Sequence, residues 1–537
     1  MDPKKLKRRI ALSLIGLLGS LALLTARGAG GAEFTLETSP DSAIVMTLRE
    51  IQGDPLDLDA AMAWALENAT DVLRARAVRD AAQGEVRREK GAFDPEIFAD
   101  IERSGDDQST ASPFAGADVL ETEETSVTAG TRITLPFGTE LEASLETTRL
   151  ETNSAFAALN PEHRTIGRLE VRQPILKGFG PAARSGLTES ERRFESAHAL
   201  YDDAVLGVRA DVESGYWELY AAERDLAVRI LIVDRAGALL EQARLKADAG
   251  LVGPNQVANA KVFLAEQRLA LIDQEERLDG ISDQLASLLG RHPESGTRFH
   301  AADEPPADFV VEPFDSLTAR ALRRNHKLQS ARDDLRAAHA VARGAAWNAY
   351  PTLDLVGSVG GNGLSGAGRD VVFGSDTLRT GIDGGFGDTW DQVLNRDFPT
   401  WSVGLVLSVP IGFREGRGER DRLRAEALRA RHDLLAMQRQ LEEDVRAAHR
   451  ELLHGSRRLG VAREGLEAAL EQVRIGLIEY ENGRTTAFEV VRLGADLTAA
   501  QQRLSEALVR TARAAARLRY LTAEESAQSA SYGGLGE

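Results

Sequence analysis

Cysteine is absent from all 537 residues of the chain. Its absence excludes disulfides, thiolate metal sites, cysteine nucleophiles and a lipid anchor carried on cysteine. A protein of this length without a single disulfide must hold its fold together by packing and hydrogen bonding alone.

The chain also has few positive charges relative to negative ones. It contains 65 lysines and arginines and 83 aspartates and glutamates, which gives a net charge of −18. Nucleic-acid binding needs the opposite sign, so we expect no nucleic-acid partner. The nine histidines are scattered, and the nearest pair, His449 and His454, lies five residues apart, off a shared helical face. We therefore predict no metal site and no cofactor, and we see no pairing of a nucleophile with a base that would indicate an enzyme.

Long apolar runs are missing except at the N-terminus. A basic start at residues 4–9 precedes the uncharged run Ile10–Ala26, and small residues follow at Gly30 and Ala32. This layout is typical of a secretory signal peptide, which we expect to span residues 1–32. The alternative is an uncleaved membrane anchor, for which the run is slightly short.

The rest of the chain reads as two copies of one unit. The stretch beginning at Ala65 aligns without a gap with the stretch beginning at Ala321, and Pro95 falls opposite Pro351. Repeats of this length should be settled before single motifs are interpreted. The predicted division is an N-terminal segment 33–55, a first repeat 56–290 with a strand region 93–175, a linker 291–315, a second repeat 316–522 with a strand region 350–411, and a flexible tail 523–537.

Each unit is predicted to contain a helix, a strand region, a very long helix, a break and a final helix. The predicted helices are 56–92, 182–249 and 255–290 in the first unit, and 316–348, 415–482 and 485–522 in the second. The long helices measure roughly 100 Å and the others roughly 55 Å, so two short helices laid end to end match one long helix. Apolar residues seven apart mark a coiled-coil seam: Val205, Val212, Leu219, Leu226, Val233 and Leu240, then Val445, Leu452, Leu459, Leu466 and Val473.

Period-two alternation marks the strand regions. In "WSVGLVLSV", Trp401, Val403 and Leu405 share one face, while Ser402 and Gly404 share the other. Three further segments, at residues 95–102, 165–173 and 351–359, alternate in the same way. Such alternation indicates membrane strands with one face toward lipid, or alternatively an ordinary antiparallel sheet lying on a core.

Two such strands per unit would give four per chain, too few to close a barrel. An open edge is not tolerated in lipid, so the barrel would be shared between chains. Three chains would supply twelve strands, above the minimum of about eight. The first unit holds a possible extra hairpin at 125–149, which could lengthen the barrel wall or stand outside the membrane.

"GNGLSG" at residues 361–366 matches the G-x-G-x-x-G pattern and follows a predicted strand. No helical pattern comes directly after it, so the dinucleotide-binding interpretation fails its own context requirement. We predict an exposed loop at the mouth of the barrel instead.

The double repeat, the two helix breaks and the strand pairs together resemble the TolC-like outer-membrane efflux proteins. The resemblance covers residues 56–522 and includes "QPILKGFG", "YWELYAAERDL" and "NGRTTAFEVV". It implies a mainly α fold with membrane β structure, in which long coiled-coil helices form a periplasmic α-barrel below a β-barrel shared by three chains. It further implies a Gram-negative outer-membrane location, contact with outer-membrane lipid, and docking to a periplasmic adaptor protein and an inner-membrane pump.

The same resemblance implies a role for the helix breaks as the periplasmic entrance. Tyr480 occupies the place of a gating tyrosine, and Glu489 that of the first of two acidic residues lining the entrance. The chain departs from the pattern where Arg492 stands at the second acidic position, where Gln256 replaces an acidic partner, and where Thr485 replaces a latch arginine of some members. Adaptor contact is expected at the tips Gly250, Leu251, Val252 and Gly253, and Gly483, Arg484 and Thr485. The alternative is that all of these are plain solvated residues.

The sequence therefore predicts a non-enzymatic, trimeric outer-membrane exit duct for efflux or type I secretion. The competing hypothesis is a periplasmic coiled-coil scaffold of the cell envelope that has no pore.

Overall fold

The computed structural model describes residues 46–111, 115–292, 298–306, 309–373 and 376–524. The predicted signal peptide and most of the predicted tail lie outside these residues. Within the described ranges, no helix combines the length and the apolarity needed to cross a membrane.

The first half of the chain begins with a short strand β1 (Asp54–Leu56) and the helices α1 (Leu58–Asn68) and α2 (Thr70–Gly91). Four strands follow: β2 (Glu96–Ser109), β3 (Val119–Thr134), β4 (Glu140–Thr152) and β5 (Leu159–Pro174). The helices α3 (Ser185–Asp248) and α4 (Pro254–Leu288) complete this half. The long helix and the helix after the break thus lie within three residues of their predicted bounds.

The second half begins with β6 (Phe299–Ala301), α5 (Phe314–Arg324) and α6 (His326–Asn348). Strand β7 (Thr352–Gly368) leads through β8 (Val371–Phe373) and β9 (Asp376–Leu378) to a short helix α7 (Phe386–Asn395) and strand β10 (Phe398–Ser408). The helices α8 (Arg414–Glu481) and α9 (Ala487–Thr522) end the described chain.

The prediction of one unbroken helix at the start of each unit was wrong. Both helices are interrupted at equivalent residues, Ala69 and Asn325, whose ψ angles of 127° and 124° are extended rather than helical. The Asn325 side chain accepts a hydrogen bond from the amide of Leu328 and so starts α6, as an N-cap residue does. The same side chain donates to the carbonyl of Leu521, which ties the break to the end of α9.

The helices form a rod of two long and two composite columns. The long helix α3, with 64 residues, packs against α2 and α4 of its own half and against α6 and α9 of the other. The long helix α8, with 68 residues, also packs against α6 and α9. Two shorter helices therefore lie end to end beside each long one, as the lengths predicted.

The predicted heptad positions form the seam between these columns. Val212, Leu219 and Leu226 on α3 are buried in one apolar cluster, together with Leu278 and Leu285 of α4. Val445 and Leu452 on α8 are buried against α5 and α9. Burial of side chains this large is worth about 1.5–3 kcal/mol each, so the seam is a main source of stability for the rod.

The large sheet has six antiparallel strands in the order β10-β7-β5-β4-β3-β2. The possible extra hairpin is β3–β4, and it lies inside this sheet, between the two other strands of the first half. Its register brings Leu141 beside Val171 and Ile133, and Ala129 beside Ala99. The hairpin therefore continues the same apolar face that Trp401, Val403 and Leu405 present on β10.

The opposite face of the sheet is polar and paired by charge. Arg132 on β3 forms an ion pair with Glu96 on β2 at 2.7 Å, and Arg172 on β5 bonds Asp354 on β7 at 2.6 Å. Within the described ranges no layer of structure covers Trp401 and Val403 on the apolar face of β10, which are 78% and 71% exposed. The alternative of an ordinary sheet lying on a core is not what the chain adopts.

The "GNGLSG" stretch is part of β7 rather than a loop. Residues 361–366 all pair with β5, from Gly361 opposite Gly167 to Gly366 opposite Glu162, and the strand continues to Gly368. Glycine suits this segment because α7 lies directly on it.

The linker between the units is also more ordered than predicted. Its strand β6 pairs in parallel with β1, which joins the start of the chain to its middle. Two buried residues of α3, Tyr216 and Glu223, form hydrogen bonds to the backbone at the paired strands β1 and β6. The Tyr216 hydroxyl accepts from the amide of Asp303 at 2.9 Å and donates to the carbonyl of Leu56 at 2.9 Å, while Glu223 accepts from the amide of Ala301 at 3.3 Å.

Burial raises the pKa of Glu223 to about 8, although the hydrogen bond from the Ala301 amide acts in the opposite direction. The folded protein therefore keeps this proton up to about pH 8, whereas the unfolded chain loses it near 4.5, the ordinary pKa of a glutamate in water. A group whose folded pKa is raised contributes stability that is lost as the pH rises between these two values.

We therefore expect Glu223→Gln, which has no proton to lose, to be more stable than the unchanged protein at pH 8. The difference should shrink toward pH 5. The midpoint of denaturant unfolding, followed by helical circular dichroism at both values, measures this. Glu191→Gln changes an exposed glutamate of the same helix and serves as the control; a Glu223→Gln effect that is equal at pH 5 and pH 8 would contradict the assignment.

Candidate functional site: the paired helix turns

The turn between α3 and α4 closes the end of α3 with a Schellman motif. Gly250 has φ = +73°, the left-handed conformation that glycine adopts without a steric penalty. The amide of Leu251 donates to the carbonyl of Lys246 at 2.8 Å, and the amide of Gly250 donates to Ala247 at 2.9 Å. These two bonds satisfy carbonyls that the helix end would otherwise leave unpaired.

The turn between α8 and α9 has the same construction. Gly483 has φ = +69°, the amide of Arg484 donates to Glu479 at 2.8 Å, and the amide of Gly483 donates to Tyr480 at 3.0 Å. Each bond of the first turn thus recurs after a constant shift of 233 residues, the separation of Gly250 and Gly483. The two breaks noted in the sequence are equivalent bond by bond.

The apolar packing beneath the turns follows the same shift. Ala236, Leu240 and Leu264 are buried together below the first turn. Their equivalents Ala469, Val473 and Leu497 are buried together below the second. Each turn therefore rests on its own small core between an outgoing and a returning helix.

The returning helices begin at equivalent residues but with different chemistry. The N-cap residue of α4 is Gly253, and Pro254 follows it in the first turn. The N-cap residue of α9 is Thr486, whose hydroxyl accepts a hydrogen bond from the amide of Glu489 at 3.3 Å. The amides of Gln256 and Glu489 both donate to the carbonyl three residues before them, at 3.0 Å. Gln256 is therefore the structural counterpart of Glu489, and the first turn lacks the negative charge that the second carries.

Tyr480 is a contact between the two halves. Its ring is buried to 9% exposure, and the Lys246 Nζ lies 4.2 Å from its centroid. A lysine ammonium at this distance from an aromatic face is attracted by the ring quadrupole, by about 0.5–2 kcal/mol depending on solvation. The contact joins the last turn of α3 to the last turn of α8.

Lys246 is the tip residue that the sequence interpretation missed. A lysine in the last turn of a helix is common because it interacts favourably with the helix dipole. Its position one residue before the equivalent of Tyr480 gives no sign that it reaches across to the other half.

Glu489 and Arg492 form an ion pair on one face of α9. Arg492 Nε donates to Glu489 Oε2 at 3.1 Å, and its guanidinium also lies 3.9 Å from Asp496. The hydrogen bond from Arg492 lowers the pKa of Glu489 against the opposing effect of desolvation, and the charge of Arg492 lowers it further. The positive charge of Arg492 therefore partly neutralises the negative charges of Glu489 and Asp496.

The remaining tip residues lie at the surface. Leu251 is 75% exposed although it is apolar, and Gly253, Gln256, Gly483 and Arg484 are exposed. Val252 and Thr485 are half-buried. Among the described residues no cluster of acidic, histidine or cysteine side chains could hold a metal ion.

Comparison with solved structures shows the same fold in known channels. The outer-membrane channel OprN matches with a TM-score of 0.62 and 17% identity, covering 87% of this chain and 90% of its own. The outer membrane protein VceC from Vibrio cholerae gives 0.60 and 16%, covering 87% and 95%. The CmeC outer membrane channel of Campylobacter jejuni gives 0.62 and 13%, covering 95% and 96%.

No curated protein sequence matches the chain. The sequence profile of one family does match, over residues 167–291 and 317–524, which together make up more than half of the chain. The first stretch runs from β5 through the first turn, and the second from α5 through the second turn. With its four helical columns, its matched turns and its six-stranded sheet, this chain belongs to the outer membrane efflux protein family.

Proposed function

We propose that this protein is the exit-duct subunit of an efflux system, a passive conduit in which three copies of the chain close one channel across the outer membrane and the periplasm. Transport would be driven by an inner-membrane pump that connects through a periplasmic adaptor. On this proposal the chain is not an enzyme, and it needs no cofactor.

The observation that carries the proposal is the stagger of the sheet. Following paired residues straight across it from Glu96 on β2 leads through Arg132, Glu142, Glu170 and Ser358 to Ser402 on β10. Ser402 lies six residues from the end of β10 at Ser408, so the six strands are displaced by about one residue each. Closing a sheet into a barrel requires such a displacement, because the strands must tilt by about 35–45°.

The edges of the sheet support the same proposal. Within the part of the chain that the structure describes, β10 and β2 are the two outer strands and neither has a partner on its outer side. Unpaired backbone groups cost several kcal/mol each in hydrocarbon, so a sheet with this apolar face cannot stay open in a membrane. Since β2 leaves the helices and β10 returns to them, β10 of one copy can pair antiparallel with β2 of the next.

The scaffold alternative accounts for the helices but not for the sheet. A periplasmic scaffold has no use for an uncovered apolar face that spans six strands. Protein secretion by a type I system would use the same duct, and it is the second candidate because the tips carry no feature that selects one pump over another.

The proposal predicts a trimer that can be extracted only with detergent. Purified from outer membranes and left unheated, the protein should migrate on a denaturing gel at about three times the mass of the single exported chain. Boiling should convert it to the single chain. Recovery as a soluble monomer or dimer without detergent would instead favour the scaffold.

We further propose that the paired turns form the periplasmic entrance and that Tyr480 helps to hold it closed. Lys246 and Tyr480 join the two outgoing long helices at their ends, so separating those ends breaks the contact. Glu489, with Arg492 beside it, and Gln256 would line the mouth. The exposed surfaces of Gly250–Gly253 and of Gly483, Arg484 and Thr485 would meet the adaptor.

For gating we expect Tyr480→Ala to increase the open population of channels in planar lipid bilayers. Losing a contact worth about 0.5–2 kcal/mol changes an equilibrium by about twofold to thirtyfold. Tyr480→Phe keeps the ring that Lys246 contacts and is the matched control, which should conduct like the unchanged protein. Equal closed-state conductance in the alanine variant and the unchanged protein would remove Tyr480 from the gate.

A further inference from the structure

Helix α7 lies on the apolar face of the sheet, at the end away from the long helices. Its Val393 occupies the space that a Cβ atom on Gly361 of β7 or on Gly167 of β5 would need, and its Thr389 does the same over Gly363. These glycines share the strand face of Val359 and Leu169, because residues two apart point to the same side. The helix thus occupies the continuation of the apolar band, beyond Trp401 and Val359.

Helix α7 can lie this close to the sheet because the residues beneath it are glycines, which have no side chain. A Cβ atom added to Gly363 would lie 2.1 Å from the carbonyl oxygen of Thr389, and one added to Gly167 would lie 2.6 Å from Val393 Cγ1. Any other residue at Gly363 would therefore push α7 away from the sheet. The glycines of "GNGLSG" allow the two backbones to touch.

Buried polar groups fix the helix in this seat. The hydroxyls of Thr147, Thr165 and Thr389 form a chain with separations of 3.2 and 2.6 Å, and Thr389 donates to the carbonyl of Phe386. The Gln392 amide bonds both backbone groups of Leu364, just past the last paired residue of β10. Helix α7 therefore covers polar and glycine positions that would face lipid unfavourably if they were open.

The outer side of α7 carries an apolar stripe. Phe386, Trp390 and Leu394 are four residues apart, so they share one face, and they are 48%, 39% and 75% exposed. Asp388 lies on a different arc of the helix, whereas Asp391 is three residues from Leu394 and borders the stripe. A short amphipathic helix with two aromatic rings and a leucine on its free face is typical of segments that lie in a membrane interface.

We propose that α7 is an interfacial membrane anchor, in which Phe386, Trp390 and Leu394 insert among the lipids of the outer leaflet. The occupant of the stripe is lipid because the stripe continues the uncovered face of Trp401 and Val403. The inference rests on the proposed function, in which the sheet lies in the membrane, and it adds α7 as a second part of the chain that contacts lipid. Helix α7 would set how deep the sheet sits in the bilayer.

A neighbouring copy is the competing occupant, and the position of α7 speaks against it. The helix packs over β7 and β5, which lie inside the sheet, and touches the edge strand β10 less extensively. A copy that pairs with β10 would meet the far side of that strand. The stripe therefore stays open toward the lipid.

The absence of cysteine makes a site-specific test direct. Leu394→Cys, Asp391→Cys and Val403→Cys each create one thiol at an exposed position, so that folding is not put at risk. Each variant is labelled with a nitroxide and reconstituted into phosphatidylethanolamine–phosphatidylglycerol liposomes. Collision rates with oxygen, which partitions into lipid, and with a water-soluble nickel chelate are then measured by electron paramagnetic resonance.

We expect the Leu394 label to collide severalfold more with oxygen than with nickel, as the Val403 label does, and the Asp391 label, at the polar border of the stripe, to collide more with nickel than the Leu394 label does. A Leu394 label that reports water, or one that is shielded from both reagents by a neighbouring chain, overturns the anchor. The Val403 label distinguishes a failure of the proposed anchor from a failure of the proposed membrane location of the sheet. If it reports lipid while Leu394 does not, only the anchor fails; if it reports water, the membrane sheet itself fails.

Discussion

The pairing of strand edges is the constraint on which the rest of this structure depends. In hydrocarbon every backbone amide and carbonyl must find a partner within protein, and a six-stranded sheet with two outer strands cannot supply those partners alone. The six residues between Ser402, which lies straight across from Glu96, and the end of β10 at Ser408 are the stagger that a tilted, closed sheet requires. On the proposed function, it is therefore the sheet rather than the helices that calls for oligomerisation.

The helices solve a different problem, that of reaching far from the membrane without a globular core. Two copies of one unit place a long helix beside two stacked ones, with buried leucines and valines every seven residues along the seam. The repeat is kept most strictly at the far end, where both turns use the same two capping hydrogen bonds. The two turns differ in chemistry although they share their geometry: Glu489 in the second turn has the uncharged Gln256 as its counterpart in the first. Lys246 of the first half contacts the ring of Tyr480 of the second.

Much of this architecture could be predicted from the sequence, because the relevant signals are local and periodic. Val212, Leu219 and Val445 were expected on the seam and are buried there. The long helices end within three residues of their predicted bounds, since glycine at Gly250 and Gly483 terminates them. The alternation around Val403 and in the hairpin at 125–149 likewise gave the correct faces of the sheet.

The features that could not be predicted depend on partners far away in the chain. The interruption at Ala69 has no glycine or proline, and β6 looked like a plain linker because its partner β1 lies more than 240 residues earlier. "GNGLSG" resembled a loop because glycine is usually a loop residue, whereas here it receives α7. Lys246 belongs to the same group, since only the tertiary structure brings it over Tyr480.

The central claim is that β10 of one copy completes the sheet with β2 of the next. If the end of β10 meets the start of β2 in the neighbouring copy, Ser408 pairs with Glu96 and hence Leu407 with Ile97 of that copy. In the double variant Leu407→Cys with Ile97→Cys, a short thiol-specific cross-linker should convert the chain into a covalent trimer that survives boiling. Either single variant should remain a monomer. Uncross-linked monomers from the double variant, with both thiols shown to be reactive, would contradict the account.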